Sequence, residues 1–381
     1  MYGQLMMKSL FIDLLKTVYA LYVKTVSRMY AKAEKKKQVV YLLSFPNNDH
    51  GLIEALNKQE HLSICYTKQV SHEALAYAEK GIDMWCINTV QGLFMTIKLI
   101  TESKIVIADN YFPLLGDIVV DSRREIIQLW HATGAIKQFG LEEKSAANRT
   151  KTDHDRFNRV YQSFTRFLVG SKAMGDVFKK SYGATEEEIL YLGFPRTDYL
   201  LKASKEERQT QKIVYLPTYR KNNMPNLVAD VLFLREKLPA TTELIIKIHP
   251  TTTLLDAEKL TAVKGVRLVQ QNQGADDLLL AADCLITDYS SVAFDYALIN
   301  KQGKLVFYWF DEEEYEKETG IQQIFKETLP YKVVSTIEEV ALSIEESQDD
   351  LSAFNEVWNT YNDGESTKRL LQWIKEKMDG N

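Results

Sequence analysis

Short apolar runs rich in β-branched residues alternate with helix-patterned stretches along most of the chain, and nothing else in the sequence constrains the fold as tightly. In a first series the runs are VVYLLSF (39–45), LSICYT (62–67), KIVIAD (104–109), EIIQLW (125–130) and RFLVGS (166–171), with helical patterns near 51–58, 71–80, 89–101 and 172–181. A polar break, LKASKEERQTQ (201–211), precedes a second series. Its runs are KIVYLP (212–217), ELIIKIHP (243–250), VRLV (266–269), DCLITD (283–288) and KLVFY (304–308), with helices near 254–262, 276–282, 290–299 and 335–346. Strands with no polar face must be covered on both sides, which predicts parallel sheets flanked by helices. A chain of 381 residues exceeds one comfortable core. The two series are therefore expected to form an α/β fold of two facing Rossmann-like domains, 38–200 and 201–381, with the Lys/Glu-rich break as boundary. Ligands in such folds bind beyond the carboxyl ends of the strands.

Charge adds a second constraint. The net charge of −5 hides a segment, residues 1–37, that carries +6 on a body carrying −11. The acidic body offers no general nucleic-acid surface. Within the segment, Leu10, Phe11, Leu14, Leu15, Val18, Tyr19, Leu21, Tyr22 and Val26 recur at helical spacing, interrupted by Asp13, Lys16, Lys24 and Arg28. No apolar stretch reaches the roughly 18 residues of a spanning helix, and the uninterrupted core of a signal peptide is missing. Two readings stay open: an amphipathic helix lying in an anionic membrane interface, or a helix packed on its own domain with a solvated charged face. Cys65, Cys86 and Cys284 lie far apart, with no CxxC pair and no clustered histidines. That spacing argues against a structural zinc or a disulfide framework and fits a reduced cytosol.

The residues that follow the runs carry the chemistry. LWHATG places His131 at a strand end among small residues, LPTYR places Thr218 and Arg220, and KIHP places Lys247 and His249 before Pro250. TDYSSVAFDY leads from a strand through Asp288 into Ser290 and Ser291 at the start of a helix, where hydroxyls, free N–H groups and the helix dipole favour an anion. Asp295, one turn on, could accept from a sugar or glycerol hydroxyl, whereas Ser290 could equally be a plain N-cap. His50, His61, His72 and His154 carry no comparable context, and TDHD (152–155) has no flanking strand to support a metal site. A P-loop, GxGxxG and GxSxG are all missing, which disfavours kinases, nicotinamide enzymes and α/β-hydrolases. The convergence of cations, hydroxyls and a candidate base suits a nucleotide diphosphate and a hydroxyl nucleophile.

Taken together and in order, LWHATGAIKQFG, GFPRTDYLL, LPTYR, KIHP and TDYSSVAFDYALINK resemble the CDP-glycerol glycerophosphotransferases of wall teichoic acid synthesis, over roughly residues 125–310. The resemblance implies a fold of the glycosyltransferase-B (GT-B) type and transfer of glycerol phosphate from CDP-glycerol to a lipid-linked acceptor at the inner membrane surface. It further implies that Trp130, His131, Ala132, Thr133 and Gly134 form a donor-contacting loop with His131 as general base. Arg196, Pro217 and Thr218 would touch the phosphates, Lys247, Ile248 and His249 would line the same site, and Ser290, Ser291 and Asp295 would complete it. Polymerase members more often read WHGTP where this chain has WHATG, and GAIKQFG looks more like the members that add the first unit to an undecaprenyl-diphosphate-linked disaccharide (ManNAc-GlcNAc). A polymerase and a GT-B nucleotide-sugar glycosyltransferase are the alternatives.

The implied mechanism is attack of a hydroxyl on the β-phosphorus with departure of CMP. A neutral imidazole near its ordinary pKa of about 6.5 can take the proton. His249, Arg196 and the Ser290/Ser291 helix end would neutralise the leaving phosphate. Such a cluster could replace a metal, so no tightly bound cofactor is expected, with Mg²⁺ assisting at most from solution.

Overall fold

A computed structural model describes residues 2–46, 48–203, 211–218, 220, 224, 226–248, 257–269, 274–346 and 350–380. Two parallel sheets organise it. The first contains β1 (Lys36–Leu43), β2 (His61–Tyr66), β3 (Asp83–Cys86), β4 (Ser103–Ala108), β5 (Glu125–Gln128), β6 (Arg166–Leu168) and β7 (Ile189–Leu190), in the order β3-β2-β1-β4-β5-β6-β7. The second contains β8 (Lys212–Leu216), β9 (Glu243–Ile246), β10 (Val266–Leu268), β11 (Cys284–Thr287), β12 (Lys304–Tyr308) and β13 (Val333–Val334), in the order β10-β9-β8-β11-β12-β13. In each sheet the strand order reverses beside the founding strand, between β1 and β4 and between β8 and β11, which is where a doubly wound sheet opens a crevice.

The alternation of side chains explains the double cover. Val39, Tyr41 and Leu43 enter one buried cluster while Val40 and Leu42 enter the other, so both faces of β1 are apolar. The cluster holding Val40 and Val106 also contains Leu216, Leu285, Phe294 and Trp358 from the second half, so apolar packing is continuous between the halves. β7 and β13, which the sequence did not disclose, are two residues long, too short for a period to register, and β3, also missed, is four residues long with no buried residue.

Two expectations change. The helix Ser366–Asp379 leaves the second half and buries Leu370, Ile374 and Met378 against the face of the first sheet that carries Tyr41 and Ile107. Residues 201–381 are therefore not one unit in space. The crossing is anchored by Asp198, whose carboxylate accepts the Ser366 and Thr367 N–H groups at 3.1 and 2.7 Å. Gly193, at φ +82°, leaves room for it, since a Cβ there would meet Tyr361 O at 2.2 Å.

The N-terminal segment is a helix only over Tyr2–Tyr30, and Lys36 and Lys37 already belong to β1. Much of its positive charge is matched locally. Lys16 pairs with Asp153 at 2.7 Å, Lys35 with Asp121 at 2.8 Å, Lys37 with Asp379 at 3.3 Å, and Lys36 with Glu102. The last part of the helix packs inward through Val23, Val26 and Ser27, but Phe11, Leu14, Val18 and Leu21 are 60, 59, 57 and 63% exposed on one stripe. No described helix is long and apolar enough to cross a membrane. TDHD lies on the helix Lys151–Tyr161, where Asp153 bonds Lys16 and Arg156.

Candidate active site

β5 ends at Gln128 and delivers Leu129, Trp130 and His131 to the cleft. Trp130 sits at φ +68°, a conformation that costs a bulky residue on the order of 1–3 kcal/mol. Side chains hold it on both sides: the Gln128 Oε1 accepts the Trp130 N–H at 2.9 Å, and Asn48 Nδ2 donates to the Trp130 carbonyl at 2.8 Å. The indole rests on Phe139 and Phe178, at centroid distances of 4.5 and 5.5 Å. The twist turns His131 against Phe45, stacked at 4.3 Å and 14°. Burial pushes the His131 imidazole down to about 4, opposed by a main-chain interaction with Asp109 and reinforced by Lys137. Nδ1 makes no hydrogen bond among the described residues. The ring is therefore neutral at neutral pH for a stronger reason than its ordinary pKa.

Asp109, directly after β4, lies beneath this loop. Its carboxylate accepts the Ser44 and Phe45 N–H groups at 2.8 Å each and the Ser44 hydroxyl at 2.9 Å. Burial still raises it to about 7.

In the second half Asp288, directly after β11, accepts the Thr218 N–H at 2.9 Å, the Tyr289 N–H at 2.6 Å and Arg220 Nη2 at 2.9 Å. Arg220 also bonds Asp311 through Nε at 2.5 Å, and its plane lies near the rings of Tyr289 and Tyr315. Pro217 and Thr218 are buried, and the Thr218 hydroxyl has no hydrogen-bond partner among the described residues. Lys247 and Ile248 follow β9, half-buried, with Ile248 against the outer apolar cluster. His249 lies outside the described residues.

The halves meet along a polar seam. Thr133 donates to Asp295, Arg196 bonds Asp295 at 2.7 Å and also pairs with Asp276, and Asp276 lies 2.9 Å from His50 Nε2. Burial disfavours the charge on Arg196, but Asp295 and Asp276 overcome it and hold the guanidinium firmly protonated. Asp295 and Arg196, expected at the ligand, are thus engaged with each other in this structure. His50, which the sequence left without a role, joins the seam at φ +43°. Beside it the main chain crosses the cleft: Gln322 N–H donates to Ile136 O at 2.7 Å and Gln138 N–H to Gly320 O at 3.0 Å. Gly134 lies against Phe294 so closely that a Cβ would fall 2.7 Å from its ring.

Between these walls is a cavity of about 290 Å³ lined by Trp130, His131, Ala132, Lys137, Ser290 and Ser291, among others. Ser291 caps the helix Val292–Ile299 without a side-chain bond, and the Val292 N–H reaches Ser290 Oγ only at 3.5 Å. Among the described residues the hydroxyls are therefore left largely free to meet a ligand. Of the residues expected at the site, Trp130, His131, Ala132, Gly134, Ser290 and Ser291 share this cavity; Thr133, Arg196 and Asp295 form the seam, and Arg220 is held by two carboxylates. Sequence reasoning passed over Asn48, Gln128, Asp109 and Lys137. Asp109, Gln128 and Lys137 stood inside stretches already singled out, KIVIAD, EIIQLW and GAIKQFG, and Asn48 stood outside them.

The sequence profile of a family described as CDP-Glycerol:Poly(glycerophosphate) glycerophosphotransferase matches residues 25–376. The chain is 31% identical to the teichoic acid glycerol-phosphate primase of Bacillus subtilis (strain 168), covering 95% of this chain and 98% of that protein. It is 30% identical to the primase of the same description from Staphylococcus aureus (strain NCTC 8325 / PS 47), again over 95% and 98%. With the teichoic acid poly(ribitol-phosphate) polymerase of Bacillus spizizenii (strain ATCC 23059 / NRRL B-14472 / W23) the likeness is 25% and covers 46% of that protein. The fold is similar to that of the wall teichoic acid polymerase TagF soaked with CDPG, with TM-score 0.72 at 18% identity, covering 97% of this chain and 98% of that one. The chain belongs to the CDP-glycerol glycerophosphotransferase family.

Proposed function

We propose that this family member transfers one glycerol phosphate from CDP-glycerol to a hydroxyl of an undecaprenyl-diphosphate-linked disaccharide, releasing CMP and priming a wall teichoic acid chain. The observation that carries the reading is the cavity in which His131 from one half faces Ser290 and Ser291 from the other. The end-to-end likeness to glycerol-phosphate primases supports priming over polymerisation.

In this mechanism the neutral His131 takes the proton of the acceptor hydroxyl as its oxygen attacks the β-phosphorus. The bond from that phosphorus to the bridging oxygen breaks and CMP leaves with the electron pair. The imidazolium then releases its proton to solvent. An imidazole held near 4 is a weak base, but the negative charge of a bound donor raises its proton affinity. Ser290, Ser291 and the helix N-terminus stabilise charge on the phosphates. The reading assigns no resident metal and leaves Mg²⁺ to assist from solution. His249 stays in it as a second histidine at the donor.

The acceptor is a lipid, so the reading places the enzyme peripherally on the cytoplasmic face of the membrane. The exposed stripe of Phe11, Leu14, Val18 and Leu21 would enter the interface. Because several lysines of the segment are already paired, apolar insertion outweighs electrostatics here. Leu14→Gln with Val18→Gln should reduce sedimentation with anionic liposomes while CDP-glycerol binding persists. Unchanged sedimentation would move the membrane contact elsewhere.

The reaction itself is tested with purified protein, CDP-glycerol and a lipid-linked disaccharide. A product heavier by one glycerol phosphate, formed with CMP release, is expected. A ladder of additions would make the enzyme a polymerase, and UDP release from UDP-sugars would make it a glycosyltransferase.

A further inference from the structure

The two arginines expected at the site are already neutralised. Arg196 is held by Asp276 and Asp295, and Arg220 by Asp288 and Asp311. A cavity meant for a nucleoside diphosphate needs positive charge that no carboxylate has claimed, because desolvating a phosphate without a counter-charge is costly. Lys137 meets this requirement. It lines the cavity with His131 and Ser290, and it forms no ion pair with a carboxylate among the described residues. Asp288 acts on it only at longer range, being already saturated by main-chain N–H groups and Arg220.

The backbone of Lys137 is fixed from the opposite half. An antiparallel bridge joins it to Ile321, with main-chain hydrogen bonds on either side at Ile136 and Gln138. A lysine with no structural partner would ordinarily extend its ammonium to bulk water. Here the chain path keeps it at the cavity, and burial lowers its pKa, opposed by Asp288 and reinforced by Arg220.

We infer that Lys137 is a substrate-binding residue whose ammonium meets the phosphates of the donor opposite Ser290 and Ser291. This rests on the reading of the cavity as a CDP-glycerol site. It gives the donor one contact from each half, since Lys137 belongs to the loop after β5 and the serines to the loop after β11. An anion between them would tie the halves together across the cleft, and as CMP departs the same ammonium would face the charge left on the leaving group.

The test compares Lys137→Met and Lys137→Arg with the parent protein by calorimetry against CDP-glycerol and against inorganic pyrophosphate, with thermal melts of the unliganded proteins. Removing one charge-assisted hydrogen bond lowers affinity by about 10- to 100-fold. Lys137→Met should show that drop for both probes, Lys137→Arg should recover part of it, and Lys137→Met should melt at or above the parent because a desolvated charge has been removed. Parent-like affinity in Lys137→Met overturns the inference. So does a lower melting temperature with no recovery in Lys137→Arg, which would make Lys137 a structural residue, and so does a parent protein that binds neither probe. Lysine-dependent binding of pyrophosphate without binding of CDP-glycerol would retain the anion site and reject the donor reading alone.

Discussion

Asp109 and Asp288 occupy equivalent positions in the two halves, each directly after the strand beside the founding strand, and each accepts main-chain N–H groups from the loop that follows that founding strand. They differ in what stands next to them. Asp288 has Arg220 against it and organises Thr218, Tyr289 and the approach to Ser290 through its hydrogen bonds. Asp109 has its hydrogen bonds from Ser44 and Phe45 but no paired cation among the described residues, and burial raises it to about 7. One backbone device therefore supports two electrostatic regimes. At the cleft the first half holds groups whose protonation burial shifts, Asp109 and His131, while the second holds the Arg220 guanidinium, which its carboxylate partners keep protonated.

The largest effect expected from this division is on turnover. His131→Ala should lower CMP release by roughly 10²–10⁴-fold while CDP-glycerol still binds in calorimetry. Near-normal release would move proton transfer out of the first half and break the comparison at once.

A large effect on stability is expected in the second half. Arg220→Met leaves Asp288 and Asp311 without their cation, a loss of about 3–5 kcal/mol in urea unfolding. If the variant unfolds with the parent, Asp288 does not depend on the guanidinium and the two halves are more alike than they look.

The pH dependence of stability sharpens the contrast within the first half. His131 is pushed down to about 4, so between pH 6.5 and 4 the unfolded chain takes a proton that the folded one refuses, and this group makes stability fall as pH falls. Asp109 is raised to about 7, so its contribution is full below the unfolded carboxylate pKa and is lost as pH rises toward 7. The two slopes oppose each other between about pH 4 and 6.5, each up to about 1.4 kcal/mol per pH unit. The contributions of these two groups to the urea unfolding of the parent should nearly cancel across that window. Asp109→Asn should become more stable with rising pH and His131→Gln less stable. Parallel profiles in the two variants would show that neither group is shifted as the packing demands.

The smallest expected effect concerns Ser290 and Ser291. Because the helix is capped without a side-chain bond, replacing both with Ala should change stability by only about 0.5 kcal/mol. Affinity for CDP-glycerol should nonetheless fall by about tenfold, because the hydroxyls no longer donate to a charged phosphate. Lower stability with unchanged affinity would make the pair a cap.

The sequence disclosed the strands that have room for a pattern. VVYLLSF, KIVIAD and KLVFY read as doubly buried and became β1, β4 and β12, with ends displaced by no more than about a turn's width of chain. The two-residue strands β7 and β13 could not be read, since they are strands through their neighbours' hydrogen bonds alone. Strand-end residues were legible for the same reason as the strands. His131, Thr218, Ser290 and Ser291 stand where an apolar run stops, and a parallel sheet sends such positions to the crevice.

What the sequence determined by itself is the part that depends on local period: two parallel sheets, their order along the chain, and the set of polar residues presented at the cleft. Which of those residues remain available to a ligand was decided by the tertiary structure. Arg196 and Asp295 pair with each other, Arg220 is enclosed by Asp288 and Asp311, and Lys137 is left facing the cavity. The helix Ser366–Asp379 closes on the first sheet although it is joined to the second. These outcomes turn on meetings between residues far apart in the chain. Ion pairing is settled by which opposite charge comes within a few ångströms after folding, and no spacing along the sequence encodes that distance.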